Sequence, residues 1–247
     1  MTEIWLVDVE RTAPALAELE REVPRLTAQD RRRALAVKDP HERKERLAIY
    51  IALRVLLERV AGARAGRQPF IRSAAGKPGL AASSVKFSLS HIEGYALIGL
   101  ARSGEIGVDL ERERPLWIST RRRDELIAVA EGLAGRRLPG RSEDARFLQA
   151  WSRLEAFAKA HGQGIGRTLS DLGLRSGRTR SLAELEAAAT CCARDAGLTV
   201  RDIPLDPGLF AAAALERAGR LQPAWLPADR TGLERLLSLS ASRPRTG

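Results

Sequence analysis

The feature that most narrows the possible folds is a cluster of strand candidates in the middle of the chain. Residues 85–90, 95–102 and 106–111 are short and rich in apolar side chains, and only turn residues, Gly94 and the Ser103-Gly104 pair, separate them. Such segments need other layers to cover them. Helical patterning flanks them on both sides. Residues 27–38 and 42–61 come before, the second with Leu47, Ile51 and Val55 at helical spacing and Ile49, Leu53 and Leu56 beside them. Residues 117–134, 144–160 and 181–194 come after. Strand segments at 4–9, 198–205 and 209–215 complete a mixed pattern in which each half reads as helix followed by strands. The expected class is α+β, divided into 1–114 and 115–218, with a proline-containing, Ser- and Arg-rich irregular extension over 219–247. Residues 62–84, rich in Gly, Ala, Arg and Pro, read as loop.

Charge and cysteine usage exclude several function classes. The chain carries 41 Lys and Arg against 31 Asp and Glu, a formal charge of +10, which favours an anionic partner without choosing one. Cys191 and Cys192 are adjacent and cannot form a disulfide framework. Three histidines are too few for a convincing zinc site. The acidic, leaderless start and the shortness of the apolar run at 95–101 lead to the expectation of a cytoplasmic protein with no membrane segment. Gly162-Gln-Gly-Ile-Gly166 follows a helix, where a dinucleotide-binding loop would follow a strand. Gly76-Lys77-Pro78 lacks the hydroxyl residue of a Walker loop, and no Gly-x-Ser-x-Gly elbow is present. The triplets at 31–33 and 121–123 are Arg runs that read as solvated helix faces, and no nucleic-acid motif accompanies them.

Chemistry-bearing residues concentrate in three segments. Phe87-Ser-Leu-Ser-His91 is a strand ending in Ser90 and His91, a hydroxyl and an imidazole able to bind an anion. Taken alone, His91 reads more readily as a structural hydrogen-bonding residue. In Ile106-Gly-Val-Asp-Leu-Glu111 the two-residue period puts Asp109 and Glu111 on one face, with Val108 and Leu110 toward the core. Paired carboxylates form half of a hard-cation site, because magnesium commonly takes one or two and fills its shell with water and substrate phosphates. A solvated strand end would carry the same pair. In Trp151-Ser-Arg-Leu-Glu-Ala-Phe-Ala-Lys159, the residues Trp151, Glu155 and Lys159 share one helical stripe. The plain alternative there is an exposed ion pair beside a half-buried Trp.

Taken together and in this order, Gly76-Lys77-Pro78, Ser88-Leu-Ser-His91, Gly107-Val-Asp-Leu-Glu111 and the helix from Trp151 to Lys159 resemble the motifs of the 4′-phosphopantetheinyl transferase superfamily. The match is to its longer, two-subdomain branch, which activates peptide synthetases, and it covers about residues 46–170. The resemblance implies two similar α+β halves packed as a pseudo-dimer within a monomer, with coenzyme A in the cleft between them. It implies a Mg2+ ion held by Asp109, Glu111 and Glu155, and phosphate-binding roles for Lys77, Ser90, His91 and Lys159. Arg54 is expected at the 3′-phosphate. Asp109, Glu155 and Lys159 form the implied catalytic set, with Glu155, directly or through water, taking the proton of a serine on an apo acyl or peptidyl carrier protein. The product would be adenosine 3′,5′-bisphosphate.

The helix departs from the family pattern at Leu154, where the family carries lysine, and Arg153 beside it projects about 100° away round the helix. A non-catalytic relative that binds coenzyme A or a carrier is the alternative reading, and a basic nucleic-acid-binding protein is a second. Retention of three carboxylates argues against the former, and the scarcity of stacking aromatics against the latter. The positive charge, including Arg121–Arg123, is expected to steer an acidic carrier.

Overall fold

The apolar segment Tyr95–Ala101 is one of the two interior strands of a mixed four-stranded sheet, and much of the first half is arranged around it. In the computed structural model, which describes residues 2–81, 83–139, 142–174, 180–216 and 221–241, the chain opens with β1 (Thr2–Asp8) and α1 (Val9–Glu22). There follow α2 (Ala28–Leu35), α3 (Pro40–Ala61), the single turn α4 (Ala63–Gly66) and a small ladder of β2 (Ile71–Arg72) with β3 (Pro78–Gly79). Next come β4 (Lys86–Ile92), β5 (Tyr95–Ala101) and β6 (Ile106–Arg112). The second half adds α5 (Thr120–Ala134), α6 (Glu143–His161), α7 (Ile165–Asp171), α8 (Leu182–Asp195), β7 (Thr199–Ile203) and β8 (Leu209–Leu215). The described chain closes with β9 (Pro223–Trp225) and α9 (Arg230–Ala241).

The architecture is mixed α+β, as expected. The first sheet has the order β4-β5-β1-β9, and the second has the order β6-β8-β7. Strand alternation divides the apolar residues between two layers. Val7, Ala96, Ile98 and Leu100 face a helical layer in which α3 contributes Ile49, Leu53, Leu56 and Leu57. Ile4, Leu6 and Leu97 of the first sheet pack against Val108, Leu110, Ala211 and Ala213 of the second, so one core lies between the sheets. On the far side of the second sheet, Ala212 and Ala214 pack beneath Val129, Leu154 and Phe157 of the helices.

Start and stop signals account for the long helices. Asp39 caps α3 through the Glu42 amide with Pro40 in its first turn, and Ser142 caps α6. Ser181 and Glu184 form a capping box on α8.

Several expectations need correction. β6 does not continue a three-strand meander: it bonds β8 throughout its length, although the boundary at residue 114 assigned it to the first half. The reason is a face contact. β6 lies across Gly99 of β5, where a Cβ would stand 2.7 Å from Val108 Cγ1. α1, for which the sequence pattern raised no expectation, forms despite Pro14 within it, because Val9, Ala15, Leu16 and Leu19 are buried together. The stretch from residue 219 is not irregular where it is described. β9 runs parallel to β1 from Ile4 to Leu6, and α9 buries Leu233 and Leu236 in the first core. Residues 242–247 lie outside the described residues. Among the described residues no helix is long and apolar enough to cross a membrane.

Candidate active site

β6 and α6 approach one another closely, and Gly107 allows it. A Cβ at that position would overlap the Ala156 carbonyl oxygen and the Ala160 amide nitrogen, both backbone atoms that cannot move aside alone. Asp109 and Glu111 follow Gly107 on the same face of the strand, so the helix resting on that glycine carries its stripe over both carboxylates. Trp151, Glu155 and Lys159 are the partly exposed residues of α6 between 151 and 160, and the others there are buried.

The contacts at this junction are short. The Lys159 ammonium donates to Asp109 Oδ1 at 2.6 Å and to Ser90 Oγ at 3.1 Å, and Ser90 Oγ donates to the same Asp109 oxygen at 2.8 Å. One residue pair earlier, Ser88 Oγ accepts from the Val108 amide at 3.0 Å, which satisfies the outer edge of β6 with a side chain of β4. Asp109 is only 4% exposed, so it is no solvated strand end, and its Oδ2 is buried without a hydrogen-bond partner. Glu111 accepts from Arg114 at 2.6 Å. Glu155 makes no hydrogen bond or ion pair among the described residues.

Burial raises all three carboxyl groups above their ordinary range. For Asp109 the opposing influence is Lys159 with Ser90, and for Glu111 it is chiefly Arg114. Glu155 is raised by burial, held back by Lys159, and pushed further by the charges of Asp109 and Glu111. At all three, burial outweighs the cations that stand beside them, Lys159 and Arg114. Burial, then Arg46 and Lys159, lower the His91 imidazole to about 4, so it is neutral at pH 7.

Beside the junction lies a cleft of about 350 Å³ between α3, the β2–β3 ladder and β4 on one side and α6 with the start of α7 on the other. Tyr50, Leu53, Phe70 and Leu89 line it with apolar surface, and Arg33, Arg72, Lys77 and Lys159 with positive charge. Sequence reasoning missed Arg33, Tyr50 and Arg72. Arg33 belongs to a triplet read as a solvated face, yet α2 turns it toward the cleft while Arg31 pairs with Glu20 at 2.8 Å.

Two of the expected phosphate-binding residues are engaged elsewhere. Arg54 is fully buried, within 2.8 Å of Asp30 Oδ2, donating to the Gly66 and Gln68 carbonyls at 2.8 and 2.6 Å and stacked 3.8 Å over Phe70. Its side chain offers no surface to a ligand in this structure and organises the loop after α4. Lys77 lines the cleft, but its ammonium bonds Glu105 Oε2 at 2.6 Å, the Ala160 carbonyl at 3.0 Å and the Ile106 carbonyl at 3.3 Å.

The departure at Leu154 also has a structural account. Leu154 is fully buried in the second core, and Arg153 forks onto Asp202 with two bonds of 2.7 Å. Neither reaches the cleft. The arginines at 121–123 are paired as well: Arg121 and Arg122 with Glu125, and Arg123 with Glu143 and Asp144. Their charge is largely answered within the fold, which weakens the case for steering from that triplet.

The residues present suit a magnesium ion in part. Among the described residues no three of His, Cys, Asp and Glu converge as a ready ligand cluster. Yet the buried, unpartnered Oδ2 of Asp109 and the partner-free carboxylate of Glu155 are hard oxygens whose charge their burial leaves poorly solvated. That set fits an ion that needs one or two carboxylates and takes other ligands from water and phosphate.

No family model matches the chain. Among individual proteins, the chain is 31% identical over 176 residues to a Synechocystis protein whose name assigns it provisionally to the 4′-phosphopantetheinyl transferases, covering 69% of this chain and 68% of that one. It is 28% identical over 168 residues to the 4′-phosphopantetheinyl transferase HetI of Nostoc, covering 66% and 70%. A shorter match, 30% over 92 residues, reaches the 4′-phosphopantetheinyl transferase psf-1 of Bacillus pumilus and covers 37% and 38%. The first two of these relatives are matched along two thirds of their length and all three share one family name, and the chain belongs to the 4′-phosphopantetheinyl transferase superfamily.

Proposed function

We propose that this protein transfers 4′-phosphopantetheine from coenzyme A to a serine hydroxyl of an apo acyl or peptidyl carrier protein. The observation that carries this reading is the placement of Lys159 and Glu155 over Asp109 and Ser90 beside a cleft both basic and apolar. Coenzyme A has that mixture, with phosphates at one end and an adenine and pantetheine to cover.

In this reading the serine oxygen bonds the phosphorus attached to pantetheine, and the bond from that phosphorus to the bridging oxygen breaks. Adenosine 3′,5′-bisphosphate leaves. Magnesium, when bound, would offset the charge on the pyrophosphate and on the departing oxygen. Asp109, Glu111 and Glu155 are the residues to hold it. Lys159, Ser90 and His91 bind phosphate oxygens. Lys159, fixed against Asp109, presents a preorganised cation where charge develops. Glu155, without a partner of its own, takes the serine proton directly or through water. The pseudo-dimer relation between the halves belongs to the same proposal. It is supported by a long helix on each sheet, α3 on β5 and β1, and α6 on β6 and β8. So does a cytoplasmic, monomeric enzyme acting on an acidic carrier.

The test is to incubate the protein with coenzyme A, Mg2+ and a panel of apo carriers, and to weigh the products. A carrier gaining the mass of phosphopantetheine only in the presence of the metal supports the proposal. Binding of coenzyme A with no transfer to any carrier would replace it with a non-catalytic binding role.

A further inference from the structure

We propose that Lys77 is a positioning residue, a clamp that ties the β2–β3 hairpin to the second half of the molecule and thereby fixes one wall of the cleft. Its ammonium is surrounded by Glu105 Oε2 at 2.6 Å, the Ala160 carbonyl at 3.0 Å and the Ile106 carbonyl at 3.3 Å. An ammonium has three donors, and three acceptors are in place. Ala160 lies at the C-terminal end of α6, where unsatisfied carbonyls favour a cation. The side chain is 17% exposed, and its stem runs past Gly162, where a Cβ would be 3.5 Å from Lys77 Cδ.

The hairpin needs such a tie. Its ladder is two residues per strand, too short to hold a geometry by itself. The turn is closed internally, by Ser73 N to the Lys77 carbonyl at 3.0 Å and Gly76 N to the Ser73 carbonyl at 2.8 Å, so it moves as a unit. That unit supplies Arg72, Gly76, Lys77 and Pro78 to the cleft. Glu105 is the anchor on the opposite side. It also lies 3.3 Å from Lys86, and its backbone exchanges hydrogen bonds with Glu216 at the end of β8.

A phosphate ligand and a clamp differ in what Glu105 does to them. Removing Glu105 would release a phosphate ligand and tighten coenzyme A binding. Removing it from a clamp would loosen the wall. The experiment compares Lys77→Met, Glu105→Gln and the double variant with the parent, by amide hydrogen exchange across residues 71–79 without ligand, calorimetric titration with coenzyme A, and steady-state transfer. Each single change should accelerate exchange in the hairpin and weaken coenzyme A binding by about fivefold or more, with the double variant no worse than the poorer single, because the two residues act as one unit. The KM for coenzyme A should rise while kcat holds within about twofold, since uniform binding is what is lost. Tighter binding in Glu105→Gln, or independent losses that multiply in the double variant, would overturn the clamp in favour of a phosphate ligand. The coenzyme A arms rest on the function proposed above, and the exchange arm does not. If the parent protein binds no coenzyme A, that function falls. Unchanged hairpin exchange in both single variants overturns the clamp regardless.

Discussion

The Lys159 ammonium stands 2.6 Å from Asp109 Oδ1, which joins a helix-borne cation to a carboxylate buried on the neighbouring strand. The two residues are 50 positions apart in the chain, and the lysine is the main counterweight to the burial that raises Asp109. The pair holds the strand–helix junction together and lies at the centre of the proposed transfer site, so removing one member tests both roles.

Lys159→Met should lower transfer by roughly 10²-fold, the scale seen when one preorganised charge is removed from a site of developing negative charge. It should also destabilise the fold by about 1–3 kcal/mol, because Asp109 is left buried with only the neutral donors of Ser90 and the Leu110 backbone. Thermal melts of Lys159→Met and of Lys159→Met with Asp109→Asn check this. The second substitution should restore most of the lost stability and none of the activity. A single variant as stable as the parent would mean the pair carries no structural weight.

Glu155→Gln should raise the melting temperature of the metal-free protein at pH 7. The folded-state pKa of Glu155 is raised by burial, so its contribution to stability is present below the ordinary glutamate value of 4.5 and lost as pH rises through the folded value. A neutral amide escapes that loss, so the difference between variant and parent should close as pH falls below 4.5. Melting curves in chelator from pH 3.5 to 8 measure it. A variant less stable than the parent at pH 7 would point to a structural partner for Glu155.

Gly107→Ala should be damaging out of proportion to one methyl group. The new Cβ meets backbone of α6 at Ala156 and Ala160, so the helix must shift as a whole. A loss of about 1–3 kcal/mol or more is expected from overpacking, with transfer falling further than stability because Glu155 and Lys159 move with the helix. Denaturant melts beside transfer rates test both parts. Wild-type values on both would contradict the close approach of β6 and α6.

Leu154→Lys separates two accounts of the departure from the family motif. Since Leu154 is fully buried among Val129, Phe157 and Ala212, an ammonium there should cost about 2–4 kcal/mol and gain no phosphate contact. The checks are a melting curve and a coenzyme A titration. Tighter binding without loss of stability would show that position 154 opens onto the cleft.

The sequence alone determined most of the local structure and the identity of the chemical groups. The strand periods at 85–90, 95–102 and 106–111, the capped start at Ser181, and the stripe of Trp151, Glu155 and Lys159 depend on neighbours a few residues away, and all appear in the fold. Motif order led to the family. What the chain's own pattern did not reveal was decided by contacts between distant segments. Whether β6 pairs with β5 or crosses to β8 turns on Gly99 and Gly107 as packing surfaces, and a glycine in a sequence does not announce what will press on it. β9 and α9 form because β1 offers an edge and the first core has room for Leu233 and Leu236, neither of which local propensity contains. Charges were least legible of all. Arg54, Arg153, Lys77 and Arg33 look alike as basic letters, yet burial against Asp30 and Asp202 made the first two structural, Glu105 engaged the third, and only the fourth reaches the cleft without a partner among the described residues. A charged side chain's role depends on what stands within a few ångströms of its tip, and that is fixed only when the two sheets and their helices close on one another.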